Sequence, residues 1–231
     1  HMVSLGCAKN LINTEQMLAA LLEAGYEYCE EPEEADIIII NTCAFIEQAK
    51  SEAIENILEM ADYKNTGALI GLVVTGCLAQ RYGAELLNEL PEVDAVVGTG
   101  SFEEIVAVCD SLLSDADAGK MEKSVHLGDI NGPLCELPRL VTTPEYTAYI
   151  KIADGCDNFC SYCIIPQLRG KFRSRTIEAI LAEAHTLASQ GVKELIVIAQ
   201  DISAYGIDLY GKPRLAELLH QLAGIEGLIW I

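Results

Sequence analysis

Nine cysteines lie in this chain of 231 residues, and their spacing sorts them into unequal groups. Cys156, Cys160 and Cys163 form a C-x-x-x-C-x-x-C run inside Ala153-Asp-Gly-Cys-Asp-Asn-Phe-Cys-Ser-Tyr-Cys-Ile-Ile-Pro166. Gly155 frees the backbone before the first thiol, and Pro166 keeps a helix from running straight through the loop. Thiolates this close serve either a metal centre or disulfides. Three without a fourth nearby suit neither a closed disulfide set nor a four-thiolate zinc site. They suit a cubane iron–sulfur cluster held at three irons, with the fourth iron left to an external ligand. Three structural cysteines, or an incomplete zinc site, are the plainer alternatives.

A second trio is spread along the chain. Cys7 follows the apolar run Val3–Leu5, Cys43 follows Ile37–Ile40 and Asn41-Thr42, and Cys77 follows Ala68–Val74 and Thr75-Gly76. Each run reads as a parallel strand, which puts each cysteine just past a strand's carboxyl end. Open α/β sheets gather their ligands at that edge. A second three-thiolate cluster site is therefore expected; the alternative is three unrelated buried cysteines that happen to end strands. Cys29, Cys109 and Cys135 have no partner spacing, and Cys29 and Cys109 read as ordinary small apolar residues. Gly6-Cys7-Ala-Lys-Asn10 opens a βα turn but lacks the glycine-rich pattern ending in Lys-Ser/Thr of a phosphate loop.

The elements that must position these residues alternate. The pattern predicts a helix starting near Asn13-Thr14-Glu15, with Asn13 as cap, Met17, Leu18, Leu21 and Leu22 on one face, and Gly25 as stop. The isoleucine run 37–40 is too apolar for a half-exposed strand and should be central in a parallel sheet. Helices over Ile46–Met60 and Ala79–Leu90, strands at Ala68–Val74 and Ala95–Val97, and a helix capped by Ser101 and running towards Leu113 complete an open, doubly wound sheet. Residues 115–140, with Gly132-Pro133 and Pro138, read as a linker, and His126 within them as solvated or packed. A new unit begins with the strand Tyr146–Ile152, which feeds the cysteine loop. Helix Thr176–Gln190, strand Glu194–Ala199, a helix at Ala216–Leu222 and a final buried strand Gly227–Ile231 then look like the first part of a (βα) partial barrel. The expected domains are 1–138 and 139–231.

Gln200 and Asp201 end the second strand of that unit, on the rim of the cysteine loop, within reach of a bound cofactor; a turn or cap role is the alternative for Asp201. Arg169-Gly-Lys-Phe-Arg-Ser-Arg175 sets four cations beside the loop, and at least one is expected to bind an anionic group rather than only face water. Tyr205 and Tyr210 read as turn residues without chemistry.

The formal net charge is −20, unevenly placed: residues 1–140 hold 7 basic and 25 acidic side chains, residues 141–231 hold 8 and 10. An acidic first region repels phosphate backbones, so a basic protein partner is favoured over direct nucleic-acid binding. No apolar run approaches the roughly 18 residues of a membrane helix. Free thiols at this density, with no export signal, indicate a reducing cytoplasm. His1-Met2 reads as a cloning remnant, so His1 is no candidate ligand. The unpunctuated end at Gly227–Ile231 suggests a piece of a longer protein.

With both trios in view, the chain resembles the methylthiotransferases of the radical S-adenosylmethionine superfamily. The resemblance rests on Leu-Gly-Cys-Ala-Lys-Asn (5–10), Ala-Asp-Ile-Ile-Ile-Ile-Asn-Thr-Cys-Ala-Phe-Ile (35–46), Thr-Gly-Cys-Leu-Ala-Gln-Arg (75–81) and the stretch 153–175. The wording of 154–175, Ala199-Gln-Asp and 205–211 is similar to the branch that modifies an aspartate of a small-subunit ribosomal protein. The resemblance implies two [4Fe-4S] clusters and S-adenosylmethionine. Cys156, Cys160 and Cys163 would hold the radical-generating cluster, with Tyr162, Arg173, Gln200 and Asp201 at the cofactor. Cys7, Cys43 and Cys77 would hold an auxiliary cluster that carries the sulfur to be inserted. The target carbon is an unactivated C–H with no usable acidity, which requires a radical. A reductant such as flavodoxin or ferredoxin is implied as electron donor. Methylthiolation of a transfer-RNA adenosine is the rival activity, an iron–sulfur electron carrier the non-enzyme reading. This chain alone is expected to be inactive or poorly active.

Overall fold

The computed structural model describes residues 1–231, which divide into two compact units, His1–Gly132 with Leu137–Leu140, and Pro133–Glu136 with Val141–Ile231. The first unit is a five-stranded, all-parallel sheet in the order β1-β2-β3-β4-β5. Its elements are β1 (Met2–Ser4), α1 (Ala8–Glu23), β2 (Ile37–Thr42), α2 (Glu47–Ala61), α3 (Tyr63–Thr66), β3 (Gly71–Gly76), α4 (Cys77–Tyr82), α5 (Ala84–Glu89), β4 (Ala95–Gly100), α6 (Ile105–Asp117) and β5 (Ser124–Gly128). Every residue of β2 and β3 is buried, as their unbroken apolar runs require of central strands covered on both faces. On one face Ile37, Ile39, Val73, Ala95 and Val97 pack against Met17 and Leu21 of α1 and Ile105, Val108 and Leu112 of α6.

Several expectations needed correction. Helix α1 starts at Ala8 rather than near Asn13: extended Cys7 lies just ahead of it, nothing from 8 to 13 breaks the turn, and Asn13 sits buried inside with its amide donating to Gln16 Oε1 at 3.3 Å. The helix expected over Ala79–Leu90 is split into α4 and α5 at Gly83, whose φ of 47° no helix accommodates. Residues 124–128 are not linker but the edge strand β5, disguised in sequence because a half-solvated edge needs little apolar content. Ser101 does not cap the following helix with its side chain; its hydroxyl donates to His126 O at 2.5 Å and pins β5 to the end of β4.

The second unit contains β6 (Thr147–Lys151), β7 (Ala153–Asp154), α7 (Ile165–Arg169), β8 (Arg173–Ser174), α8 (Ile177–Ser189), β9 (Glu194–Ile198), α9 (Ile207–Tyr210) and α10 (Leu215–Leu222). Strands β6 and β9 pair in parallel, with Thr147 opposite Glu194 and Lys151 opposite Ile198. The Thr176 side chain caps α8 by accepting from Ala179 N at 3.2 Å. Ile150, Ile152, Ile180, Ala184, Leu195, Leu218 and Leu222 form its core. The expected final strand amounts to a single bridge, Glu194 to Trp230, and Trp230 is 68% exposed rather than buried. Tyr205, read as a turn residue, is fully buried, and its hydroxyl donates to Arg175 O at 2.9 Å.

Candidate metal centres

The sheet register of the first unit brings its cysteines to one edge. Ser4 pairs with Asn41 and Asn41 with Thr75, so those three residues form one row across adjacent strands. Cys7, Cys43 and Cys77 follow that row by three, two and two residues. Their proximity shows in two ways. A methyl group added at Gly6 would stand 2.7 Å from Cys43 Cβ, so the turn before Cys7 runs directly against Cys43. Burial first, and then the neighbouring Cys77 and Cys7, push the Cys43 thiol up from its ordinary value. Cys7 is exposed, Cys43 half-buried and Cys77 buried, and none forms a disulfide. The local folding is dictated by small residues: Gly6, at φ 90°, takes a conformation that side chains avoid, and Gly76, also at φ 90°, leads straight into α4.

The trio Cys156, Cys160 and Cys163 sits in the loop between β7 and α7. The loop closes on itself where Cys156 N donates to Gly170 O at 3.1 Å, and tightens where Cys163 N donates to Cys160 O at 2.9 Å. Asp157 accepts from Phe172 N at 3.1 Å, and Pro166 stands in the first turn of α7, where its missing N–H costs nothing. Cys160 is exposed and its two partners half-buried. Phe159 holds φ at 45°, the one non-glycine residue at positive φ, and is 69% exposed.

No three histidine, cysteine, aspartate or glutamate side chains converge closely enough to hold a single ion. A cubane makes a different demand, because each thiolate takes its own iron and the sulfurs stay apart. Both trios offer three thiols outside any disulfide, a donor set that fits such a cluster.

The remaining predicted residues divide. Gln200 Nε2 donates to Asp154 Oδ1 at 2.6 Å, which orients the amide, while its Oε1 is buried with no hydrogen-bond partner. A buried acceptor left open fits a ligand that brings its own N–H. Asp201 is occupied in a structural role: Oδ1 accepts from Ser203 N at 3.1 Å and Ser203 Oγ at 2.6 Å, capping the turn Ile202–Ala204, and Oδ2 accepts from Asn158 of the cysteine loop at 3.0 Å. The Ser203 and Asn158 hydrogen bonds hold its carboxyl below the usual range. Tyr162 projects from the loop, 87% exposed. The Arg173 guanidinium donates to Arg169 O at 2.9 Å and Lys171 O at 3.2 Å. Of the other cations, Arg169 is buried beside Asp154, and Arg175 binds Glu136 and Glu183, so the run is no solvated basic loop.

Asp154 had not been singled out. Its buried carboxylate accepts from Gly155 N at 3.0 Å, Lys151 Nζ at 3.0 Å, Arg169 Nη1 at 3.4 Å and Gln200. Burial opposes its charge, yet the Lys151 and Arg169 cations beside it prevail and hold the carboxyl well below the ordinary value. The signal was available: two charges, Lys151 and Asp154, flank the apolar pair Ile152-Ala153 just ahead of the cysteine loop.

Family models match twice, the uncharacterized protein family UPF0004 over residues 1–98 and the radical SAM superfamily over residues 150–229. The curated relatives include the protein named ribosomal protein uS12 methylthiotransferase RimO of Clostridioides difficile, 54% identical over 99% of this chain and 50% of that protein. The protein of the same name from Geobacter sulfurreducens is 52% identical over 100% of this chain and 51% of its own length. Over its whole length the chain is similar to these RimO proteins, and residues 150–229 match the radical SAM superfamily. It spans about half the length of these relatives. A solved structure of the radical S-adenosylmethionine methyltransferase TsrM from Kitasatospora setae, with tryptophan and an analogue of S-adenosylmethionine bound, superposes with a TM-score of 0.60 at 13% identity. That match covers 91% of this chain and 47% of the other, and extends the agreement to the fold. No helix is long and apolar enough to cross a membrane.

Proposed function

We propose that this chain is the cluster-bearing part of a radical S-adenosylmethionine methylthiotransferase that modifies an aspartate of a small-subunit ribosomal protein. The observation supporting this most directly is the gathering of Cys7, Cys43 and Cys77 at the ends of three adjacent strands, in a chain whose second unit carries the C-x-x-x-C-x-x-C loop. One thiolate trio would serve a radical initiator alone; two give a place for the inserted sulfur as well. When bound, the clusters and S-adenosylmethionine supply the deoxyadenosyl radical and the sulfur.

The residues of the chain hold and orient. Cys156, Cys160 and Cys163 anchor one cluster at the mouth of the second unit, and Gln200 Oε1 offers the acceptor for the cofactor's ammonium group. Asp201 fixes the loop through Asn158 and the rim through Ser203, which makes it a support of the site more than a ligand. Exposed Phe159 and Tyr162 flank the thiolates in the loop sequence. The acidic first region, with 7 basic against 25 acidic side chains in residues 1–140, suits a basic ribosomal protein over a nucleic acid, and a reduced flavodoxin or ferredoxin would supply electrons. Nine cysteines, none in a disulfide, suit a reducing cytoplasm.

The test is anaerobic iron and sulfide quantitation with Mössbauer spectroscopy on the reconstituted chain and on its Cys156→Ala/Cys160→Ala/Cys163→Ala variant. About eight irons falling to about four is expected of two cubanes each held by three thiolates. Four falling to none would remove the sulfur-bearing site and with it this reading.

A further inference from the structure

Asn10 is buried in the first turns of α1, and both ends of its amide are engaged. Its Nδ2 donates to Leu5 O at 3.2 Å and to Thr42 O at 2.9 Å. Its Oδ1 accepts from Cys77 Sγ at 3.8 Å. Leu5 lies two residues before Cys7, and Thr42 immediately before Cys43. One side chain thus touches all three cysteine-bearing turns.

The chemistry explains why an amide stands here. Past the last ladder bond of a parallel strand, a backbone carbonyl has lost its partner and needs a donor. Two such carbonyls lie on the same side of Asn10, and a primary amide supplies two N–H groups at one end and an acceptor at the other. Aspartate has the shape without the donors; serine has one donor and falls short. The backbone that carries it is held from behind: Asn41 Nδ2 donates to the Asn10 backbone carbonyl at 2.8 Å and also to Thr14 Oγ1 at 2.9 Å, and Thr14 donates to Ser4 Oγ at 3.0 Å.

We propose that Asn10 is the positioning residue of the amino-terminal trio, fixing the spacing of the three turns so that Cys7, Cys43 and Cys77 are presented as one set to an iron–sulfur cluster. The inference rests on the reading of that trio as a cluster site.

The experiment measures this site alone, in the Cys156→Ala/Cys160→Ala/Cys163→Ala background, by iron content under limiting iron and by electron paramagnetic resonance of the reduced protein. Asn10→Asp and Asn10→Ser are compared with Thr14→Val, which breaks the same polar network without touching a cysteine turn; circular dichroism follows the fold of each. Supporting tissue around metal ligands commonly governs affinity by about 10- to 100-fold. The expected result is a loss of that order in both Asn10 variants, with shifted resonance lines in whatever cluster remains, while Thr14→Val loads as the parent does. If Asn10→Asp does not fold, Asn10→Ser decides. Loading and spectra equal to the parent in the Asn10 variants would overturn the proposal, as would equal losses in Thr14→Val, which would make Asn10 ordinary scaffold. A parent that loads no iron would overturn the cluster reading itself, and this proposal with it.

Discussion

Asp154 concentrates the energetics of the carboxyl-terminal unit in one side chain. It faces two buried cations, Lys151 and Arg169, which its removal would leave without their carboxylate. Taking away one partner of a buried ion pair costs about 3–5 kcal/mol, so Asp154→Ala should lower the urea midpoint of the apoprotein by that equivalent. A loss under about 1 kcal/mol would mean that solvent reaches the cations, as at exposed pairs. Cys109 gives a pH-dependent counterpart in the other unit. It is 1% exposed, and burial, followed by the Asp110 carboxylate, pushes its thiol up from 9.0 to about 12. The folded protein therefore keeps a proton that the unfolded chain releases. That stabilisation is complete below pH 9 and is lost as pH climbs towards 12. Stability should fall across this alkaline window, and less steeply in Cys109→Ala; identical slopes would contradict the burial. At Gly6 the constraint is steric. Gly6→Ala meets Cys43 Cβ at 2.7 Å from a backbone at φ 90°, and should sharply reduce iron at the amino-terminal trio, as read by iron assay in the triple-alanine background.

Among the elements, β2 and β3 are buried along their whole length, and β5 is an edge. Hydrogen exchange should be slowest for the amides of β2 and β3, measurable but protected for Val125 to Leu127, and fast for 129–136. Uniformly fast exchange from 115 to 140 would restore the linker and remove β5. How far the sequence disclosed this follows from how each signal is encoded. The isoleucine run of β2 and the cysteine loop at 156–163 are local patterns, readable at once. The meeting of Cys7, Cys43 and Cys77 was legible too, because a parallel strand order sends every carboxyl end to the same side. What escaped was encoded in tertiary contacts. β5 exists through its pairing with β4 and the Ser101 hydroxyl, and the early start of α1 owes nothing to Asn13. Nor does Gln200 reveal by type that one end of its amide is held by Asp154 while the other stays open.

Over the whole molecule, a charge of −20 makes association with a basic polypeptide strongly dependent on ionic strength. Binding of a lysine- and arginine-rich ribosomal protein to this chain should weaken markedly between about 50 and 300 mM salt, as the screening length shortens. Salt-independent binding would point to an apolar interface instead. Duplex nucleic acid should not bind at either concentration. The two cysteine trios also differ in how they come into being. Cys156, Cys160 and Cys163 are neighbours in sequence, brought together by one tight loop. Cys7, Cys43 and Cys77 are neighbours only because β1, β2 and β3 lie side by side. Contacts between distant positions form late, since loop closure must come before they are rewarded. On the proposed cluster reading, then, the first trio in the sequence would be the last to be ready in biogenesis: it could receive iron and sulfide only on a finished sheet, while the later loop could be loaded once its own turn had closed.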